Sequence, residues 1–122
     1  MEVSEMSQCG LELPPVQRIR PNYLDVEGMP DIKSGVYAFW CKEAKRYIYI
    51  GQTSSSIKKR LKQHLNPKNT FNPKLKKRIK YFGQSLEIQF TQVEKGQLNE
   101  VEKHLIKVFK PLANRDHNPN YQ

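Results

Sequence analysis

Two short runs of β-branched and aromatic residues stand close together in the middle of the chain. They are Gly35-Val36-Tyr37-Ala38-Phe39-Trp40-Cys41 and Tyr47-Ile48-Tyr49-Ile50, the second ended by Gly51. Such side chains fit a pleated surface, and an unbroken apolar run of this length reads as a buried strand. The polar residues between the runs, Lys42-Glu43-Ala44-Lys45, suit a short antiparallel reversal. This hairpin limits everything else. With 37% apolar residues in a chain of 122, one small core can form, so the other elements must pack on these two strands.

The serines at 54–56 are good helix caps, and Ile57, Leu61 and Leu65 then recur at helical spacing up to Asn66-Pro67. Asn72 followed by Pro73 opens a second helix, with Leu75, Ile79 and Phe82 on one face and Gly83 as its stop. Leu86, Ile88 and Phe90 alternate with Glu87 and Gln89 as a third strand. A last helix runs from about Gln97 to Phe109, before Pro111. The order β-β-α-α-β-α predicts an α+β domain, a small three-stranded antiparallel sheet with helices packed on it. Pro14-Pro15, Pro21 and Pro30 interrupt any period upstream, so residues 1–31 read as an irregular arm, 32–116 as the domain and 117–122 as a tail.

Charge gives the first functional direction. Residues 1–34 carry three basic and six acidic side chains, whereas residues 35–122 carry eighteen and six. Between Glu43 and Glu87 twelve Lys and Arg occur without one acid. A field of this sign draws polyanions, nucleic acid foremost. No apolar run is long enough to span a bilayer and the first residues are acidic, so neither a membrane protein nor a secretory signal is expected. Cys9 and Cys41 lack CxxC spacing and neighbouring histidines, which argues against a disulfide scaffold or zinc site and for a reduced, cytoplasmic setting.

Three polar placements do not suit a plain core. On the last helix Leu98, Val101, Leu105, Val108 and Phe109 form an apolar stripe, and Glu102 falls inside it. A carboxylate there has to be paired with a base, protonated or bound to a cation. Arg60 and His64, four residues apart, share the shoulder of the Ile57/Leu61/Leu65 stripe; together they reach a phosphate, or else form a solvated flank. Tyr37, Tyr47 and Tyr49 lie on the hairpin, and spacing alone does not separate them from ordinary core aromatics.

Taken together, these residues resemble the GIY-YIG nucleases. Gly35-Val36-Tyr37 and, eleven residues on, Tyr49-Ile50-Gly51 resemble the paired motif that names the family. Arg60 and His64 resemble the helix of phage homing endonucleases. Glu102-Lys103-His104-Leu105-Ile106-Lys107, followed by Pro111 and Asn114, resembles a segment of the bacterial excision-repair incision nuclease. The similarity spans residues 32–116, with two departures: Val36 stands in place of Ile, and Arg60 follows Gly51 by nine residues where eight are expected, so the 52–56 loop is one residue longer.

The resemblance implies a small standalone DNA endonuclease that hydrolyses phosphodiester bonds with a single Mg²⁺, or Mn²⁺, leaving a 5′-phosphate and a 3′-hydroxyl. It implies Glu102 as the one protein carboxylate on the metal, which suits a cation that keeps its waters. Tyr37 is then the general base or the group orienting the attacking water, and Arg60 holds the scissile phosphate. Tyr49 and His64 position phosphate or water, with His64 a proton relay. Asn114 ties the C-terminal segment near the metal, and Gly35 and Gly51 are structural. Lys58, Lys59 and Lys62 on the first helix and Lys74, Lys76, Lys77, Arg78 and Lys80 on the second are expected to contact phosphates of DNA or RNA. Without a recognition module in this sequence, specificity would fall to a partner protein or a homodimer. The alternative is a catalytically silent nucleic-acid-binding module on the same fold. A basic ribosomal-type protein accounts for the charge but not for Glu102.

Overall fold

The hairpin forms between β2 (Lys33–Cys41) and β3 (Arg46–Ser56), and it turns at Lys45 with φ 51°. A computed structural model describes residues 5–69 and 72–114; the expected tail at 117–122 lies outside them. On the other side of β2 runs β4 (Leu86–Gln92), antiparallel, with Tyr37 opposite Phe90. A fourth strand, β1 (Gln17–Ile19), pairs with β4, so the sheet order is β1-β4-β2-β3. The expected three strands are therefore four, and the added one comes from the segment read as an irregular arm.

That segment is built into the fold. Asn22 caps α1 (Tyr23–Gly28) by accepting from the Asp25 N–H at 2.8 Å, and Val26 and Met29 enter the core beneath it. Earlier still, Met6 and Cys9 are buried on the opposite face of the sheet, where the Met6 N–H donates to the Tyr47 hydroxyl at 2.6 Å. Prolines break a periodic pattern, but they do not stop three residues from pairing along a sheet edge.

Helices α2 (Ile57–Leu65) and α3 (Pro73–Phe82) begin at the expected caps. The Ser56 hydroxyl accepts from the Lys59 N–H at 3.0 Å, and Asn72, left-handed at φ 51°, accepts from the Leu75 N–H at 3.1 Å. With α1 they cover one sheet face, where Tyr37, Phe39, Ile48, Ile57, Leu61 and Phe90 share a core. On the other face α4 (Leu98–Phe109) packs Leu98, Val101, Leu105 and Ile106 on Val36, Ala38 and Ile50. Val108, expected in that stripe, is exposed, and Ile106 takes its place. Among the described residues no helix is long and apolar enough to cross a membrane.

Two bulges decide which side chains meet. Phe39 pairs with Tyr49 but Trp40 pairs with Tyr47, so Ile48 is the extra residue. A one-residue insertion resets the alternation of faces. Tyr47 therefore joins the α4 side, while Ile48 and Tyr49 both turn to the α2 side, where Tyr37 lies. The second bulge lies between the Gly35–Thr53 and Lys33–Ser56 pairs. It holds one more residue on β3 than on β2 in the stretch where the family spacing is exceeded by one. Residues 52–56 are thus strand rather than loop, and β3 runs past Gly51 into the cap of α2.

Candidate active site

Beside the second half of the hairpin, β2, β3 and α2 converge. Tyr37 on β2 lies directly opposite Gly51 on β3. A methyl group at Gly51 would sit 2.6 Å from both the Tyr37 Cζ and its hydroxyl oxygen, and 2.8 Å from Tyr49 Cε2. The bare glycine is what lets the two tyrosines close over the strand. Gly35 is as tightly placed, because a methyl there would lie 2.3 Å from the Thr91 carbonyl oxygen and 2.6 Å from Ile57 Cδ1. It lets β4 and α2 approach β2 together.

The Tyr37 hydroxyl is 2.8 Å from His64 Nε2. The His64 ring is buried in an aromatic enclosure, 5.5 Å from the rings of Tyr37 and Tyr49 and 5.9 Å edge-on from Phe39. Burial, with Arg60 and Lys76 adding like charge, pushes its pKa down to about 3, so the imidazole is neutral at pH 7. Burial raises the Tyr37 phenol well above its ordinary value; Tyr49 beside it and Glu102 push the same way, while Arg60 opposes them. Tyr49 is raised as well, by burial first and Glu102 second, against hydrogen bonds with Tyr37 and Asn72 and the charge of Arg60. Arg60, half-buried on α2, thus acts on Tyr37, Tyr49 and His64 at once.

Glu102 arrives from the other face of the sheet. It is half-buried on α4, near enough to act on both tyrosines, and it accepts from Gln52 Nε2 at 3.2 Å. Gln52 also donates to Asn99 Oδ1 at 2.7 Å, which ties β3 to the first turn of α4. Asn114, by contrast, is occupied with the backbone. Its Oδ1 accepts from the Ile50 N–H at 2.8 Å, its Nδ2 donates to the Ile50 carbonyl at 2.6 Å, and the Ala113 N–H donates to the Ile48 carbonyl at 2.7 Å. Residues 113–114 thereby cover the free edge of β3 beside the cluster.

Tyr37, Tyr49, Arg60, His64 and Glu102 are thus brought together, and Asn114 braces the strand that carries Tyr49. Two further residues belong here without having been foreseen. Gln52 directly follows the second motif, which was a signal. The sequence marks Asn72 as a cap, but its hydrogen bond to Tyr49 depends on how α3 packs.

The donor set fits a hard divalent cation. It offers one partly accessible carboxylate, Glu102, as an oxygen donor, and among the described residues no three His, Cys, Asp or Glu side chains cluster as a zinc site would need. A cleft of about 830 Å³ between residues 11–14 and α4 contains none of the catalytic candidates. What sets the site apart is convergent chemistry rather than depth.

The basic residues divide by surroundings. Lys62 is ion-paired with Glu27 and lies 5.8 Å over the Tyr23 ring. Lys76 donates to the carbonyls of Gln63, His64 and Asn66 at 3.1, 3.3 and 2.8 Å, closing the C-terminus of α2. Burial lowers the pKa of this lysine. Lys59, Lys77 and Lys80 are exposed, and Lys58, Lys74 and Arg78 partly so.

Known proteins share this fold. No curated protein matches the chain. Two solved structures are similar to it, both of the GIY-YIG N-terminal endonuclease domain of UvrC from Thermotoga maritima. Each is a tyrosine-to-phenylalanine point mutant bound to its catalytic divalent cation. They share 28% and 29% identity with TM-scores of 0.54 and 0.55, over 71% of this chain and 88% of each domain. The GIY-YIG catalytic domain model matches residues 33–116, which takes in both hairpin strands, α2, α4 and Asn114. With its motif tyrosines, Arg60, His64 and Glu102 gathered on that fold, the chain belongs to the GIY-YIG endonuclease domain family.

Proposed function

We propose that this protein is a divalent-cation-dependent endonuclease that hydrolyses DNA phosphodiester bonds, leaving a 5′-phosphate and a 3′-hydroxyl, with residues 32–116 as its nuclease domain. The observation that carries the reading is the Tyr37–His64 contact of 2.8 Å, placed in the field of both Arg60 and Glu102. Glu102 would hold the cation, Mg²⁺ with Mn²⁺ able to replace it. When bound, the cation supplies positive charge that acidifies water and offsets charge on the phosphoryl oxygens.

The protein's own groups do the rest. At neutral pH a phenol raised by burial keeps its proton, and an imidazole lowered to about 3 stays neutral and takes none up. Tyr37 therefore orients the attacking water with its hydroxyl, and His64 fixes the direction of that hydroxyl; this favours the orienting role over the general base. Arg60 presents a planar cation that can grip two phosphate oxygens, and it neutralises charge developing as water attacks. Tyr49, held by Asn72, bounds the other side of the water and phosphate position. Gln52 keeps the Glu102 carboxylate turned toward the tyrosines. Lys59, Lys77, Arg78 and Lys80 contact phosphates along the strand, which positions the substrate without reading bases.

The test is cutting of supercoiled, single-stranded and branched DNA, and of RNA, in Mg²⁺, Mn²⁺ and EDTA, with the product ends analysed. Cutting with either cation, abolished by EDTA and yielding ligatable 5′-phosphates, is the expected result. Binding without cutting on every substrate would favour the silent module.

A further inference from the structure

Helix α3 carries an exposed feature that phosphate contact does not use. Tyr81 is 80% exposed on a helix whose other large apolar side chains, Leu75, Ile79 and Phe82, turn to the core. It is the fourth member of a ridge, with Lys74, Lys77 and Arg78 at the three-, four- and seven-residue spacings that share one helix face. These four and Pro73 line a shallow groove of about 630 Å³. The Tyr81 ring stands perpendicular to that of Phe82, centroids 5.0 Å apart at 89°, and Phe82 is packed on the core, while Tyr81 itself stays open to solvent.

The ridge also has a direction. Its N-terminal end adjoins Asn72, which hydrogen-bonds Tyr49 of the catalytic cluster. Tyr81 lies nine residues further along the helix, about 13 Å at ~1.5 Å per residue. That distance equals about four steps of a stacked strand. Cations beside an aromatic face are the combination on which bases of a single strand stack, and the face is indifferent to which base it receives.

We propose that Tyr81 is a stacking platform for an unpaired base. The enzyme would then hold a single-stranded or flipped-out nucleotide a few positions from the scissile phosphate, with Lys77 and Arg78 on the flanking phosphates. This rests on the nucleic-acid reading above and narrows the substrate to DNA with an unpaired segment near the cut. A paired, stacked base presents no face to Tyr81.

The experiment measures affinity in EDTA, which separates binding from cutting. It uses a 12-nucleotide single strand carrying 2-aminopurine at successive positions and a blunt duplex of the same sequence. Tyr81→Ala should weaken single-strand binding by roughly 5- to 140-fold, the range one base–aromatic stack carries, and leave duplex affinity unchanged. Tyr81→Phe should bind like wild type, and 2-aminopurine should be quenched at one position by wild type but not by Tyr81→Ala. Because Tyr81 is exposed, folding is not at issue, and matched melting curves check this. A single-strand loss below about two-fold, or equal losses on both DNAs, overturns the platform. If Lys77→Ala then still weakens binding, the nucleic-acid reading stands without it. If wild type binds neither DNA, both fall.

Discussion

Replacing Gly51 by alanine tests the architecture of the site with one methyl group. That methyl would lie 2.6 Å from Tyr37 Cζ and its hydroxyl oxygen and 2.8 Å from Tyr49 Cε2, where carbon atoms ordinarily stay at about 3.5–4.0 Å. Tyr37 is 1% exposed and sits on a central strand, so its ring cannot swing into solvent; it has to move by about 1 Å or push β3 outward. Overpacking of this kind costs about 1–3 kcal/mol of stability. The same displacement moves the hydroxyl off His64, and misplacing a reacting group by about 1 Å costs on the order of 100-fold in rate. Gly96→Ala and Gly28→Ala are the controls, since a methyl at either meets nothing within 4 Å. They should be neutral or stabilising by about 0.4–1 kcal/mol. Urea unfolding gives the stabilities, and single-turnover cleavage of a plasmid below the unfolding transition gives the rates. A Gly51→Ala protein as stable and as fast as the controls would refute the close packing. One that is destabilised but cuts at the wild-type rate would remove the Tyr37–Tyr49 pair from the mechanism.

Acid should destabilise the protein through His64. Between pH 6.5 and about 3 the unfolded chain takes up a proton that the folded chain refuses, so stability falls as pH drops through that window, by up to about 1.4 kcal/mol per unit; chemical unfolding at pH 4–7 should show this slope and His64→Gln should flatten it. Lys76→Met removes three hydrogen bonds that close α2 and should lower stability by about 1–3 kcal/mol, whereas Lys77→Ala should leave stability within about 0.5 kcal/mol and reduce the salt slope of DNA binding by about one. Asn114→Ala strands the buried Ile50 amide and carbonyl, at about 1–3 kcal/mol; if its role is bracing, activity should return when osmolyte restores the fold.

Much of this was legible because its signals are local. Ser56 and Asn72 announce α2 and α3 from within one helical turn, and the Lys42–Lys45 turn is enough to define the hairpin. Glu102 was visible as a carboxylate in an apolar stripe. The Ile48 bulge was not, since Tyr47-Ile48-Tyr49-Ile50 is apolar throughout and hides any period of two. Yet that bulge sends Tyr47 to the Met6 and Gln89 side and Tyr49 to Tyr37. Strand β1 escaped because its pairing partner, β4, lies some seventy residues away in the chain. Lys76 read as one more phosphate ligand, and only the packing of α3 on α2 reveals that its charge is spent on carbonyls. Helix α1 did carry a sign, Asn22 with Asp25 three residues on, but the surrounding prolines obscured it.

The role of Glu102 is decided by comparing wild type with Glu102→Gln, an exchange that keeps the side chain's size and its reach to Gln52. Melting temperature, DNA affinity and cleavage rate are measured on the same preparations in Mg²⁺. Folding should be equal and DNA affinity at least as high, with cutting reduced by several orders of magnitude. Cutting by Glu102→Gln at the wild-type rate would contradict that role, because the carboxylate reaching across the sheet would then have no part in the chemistry.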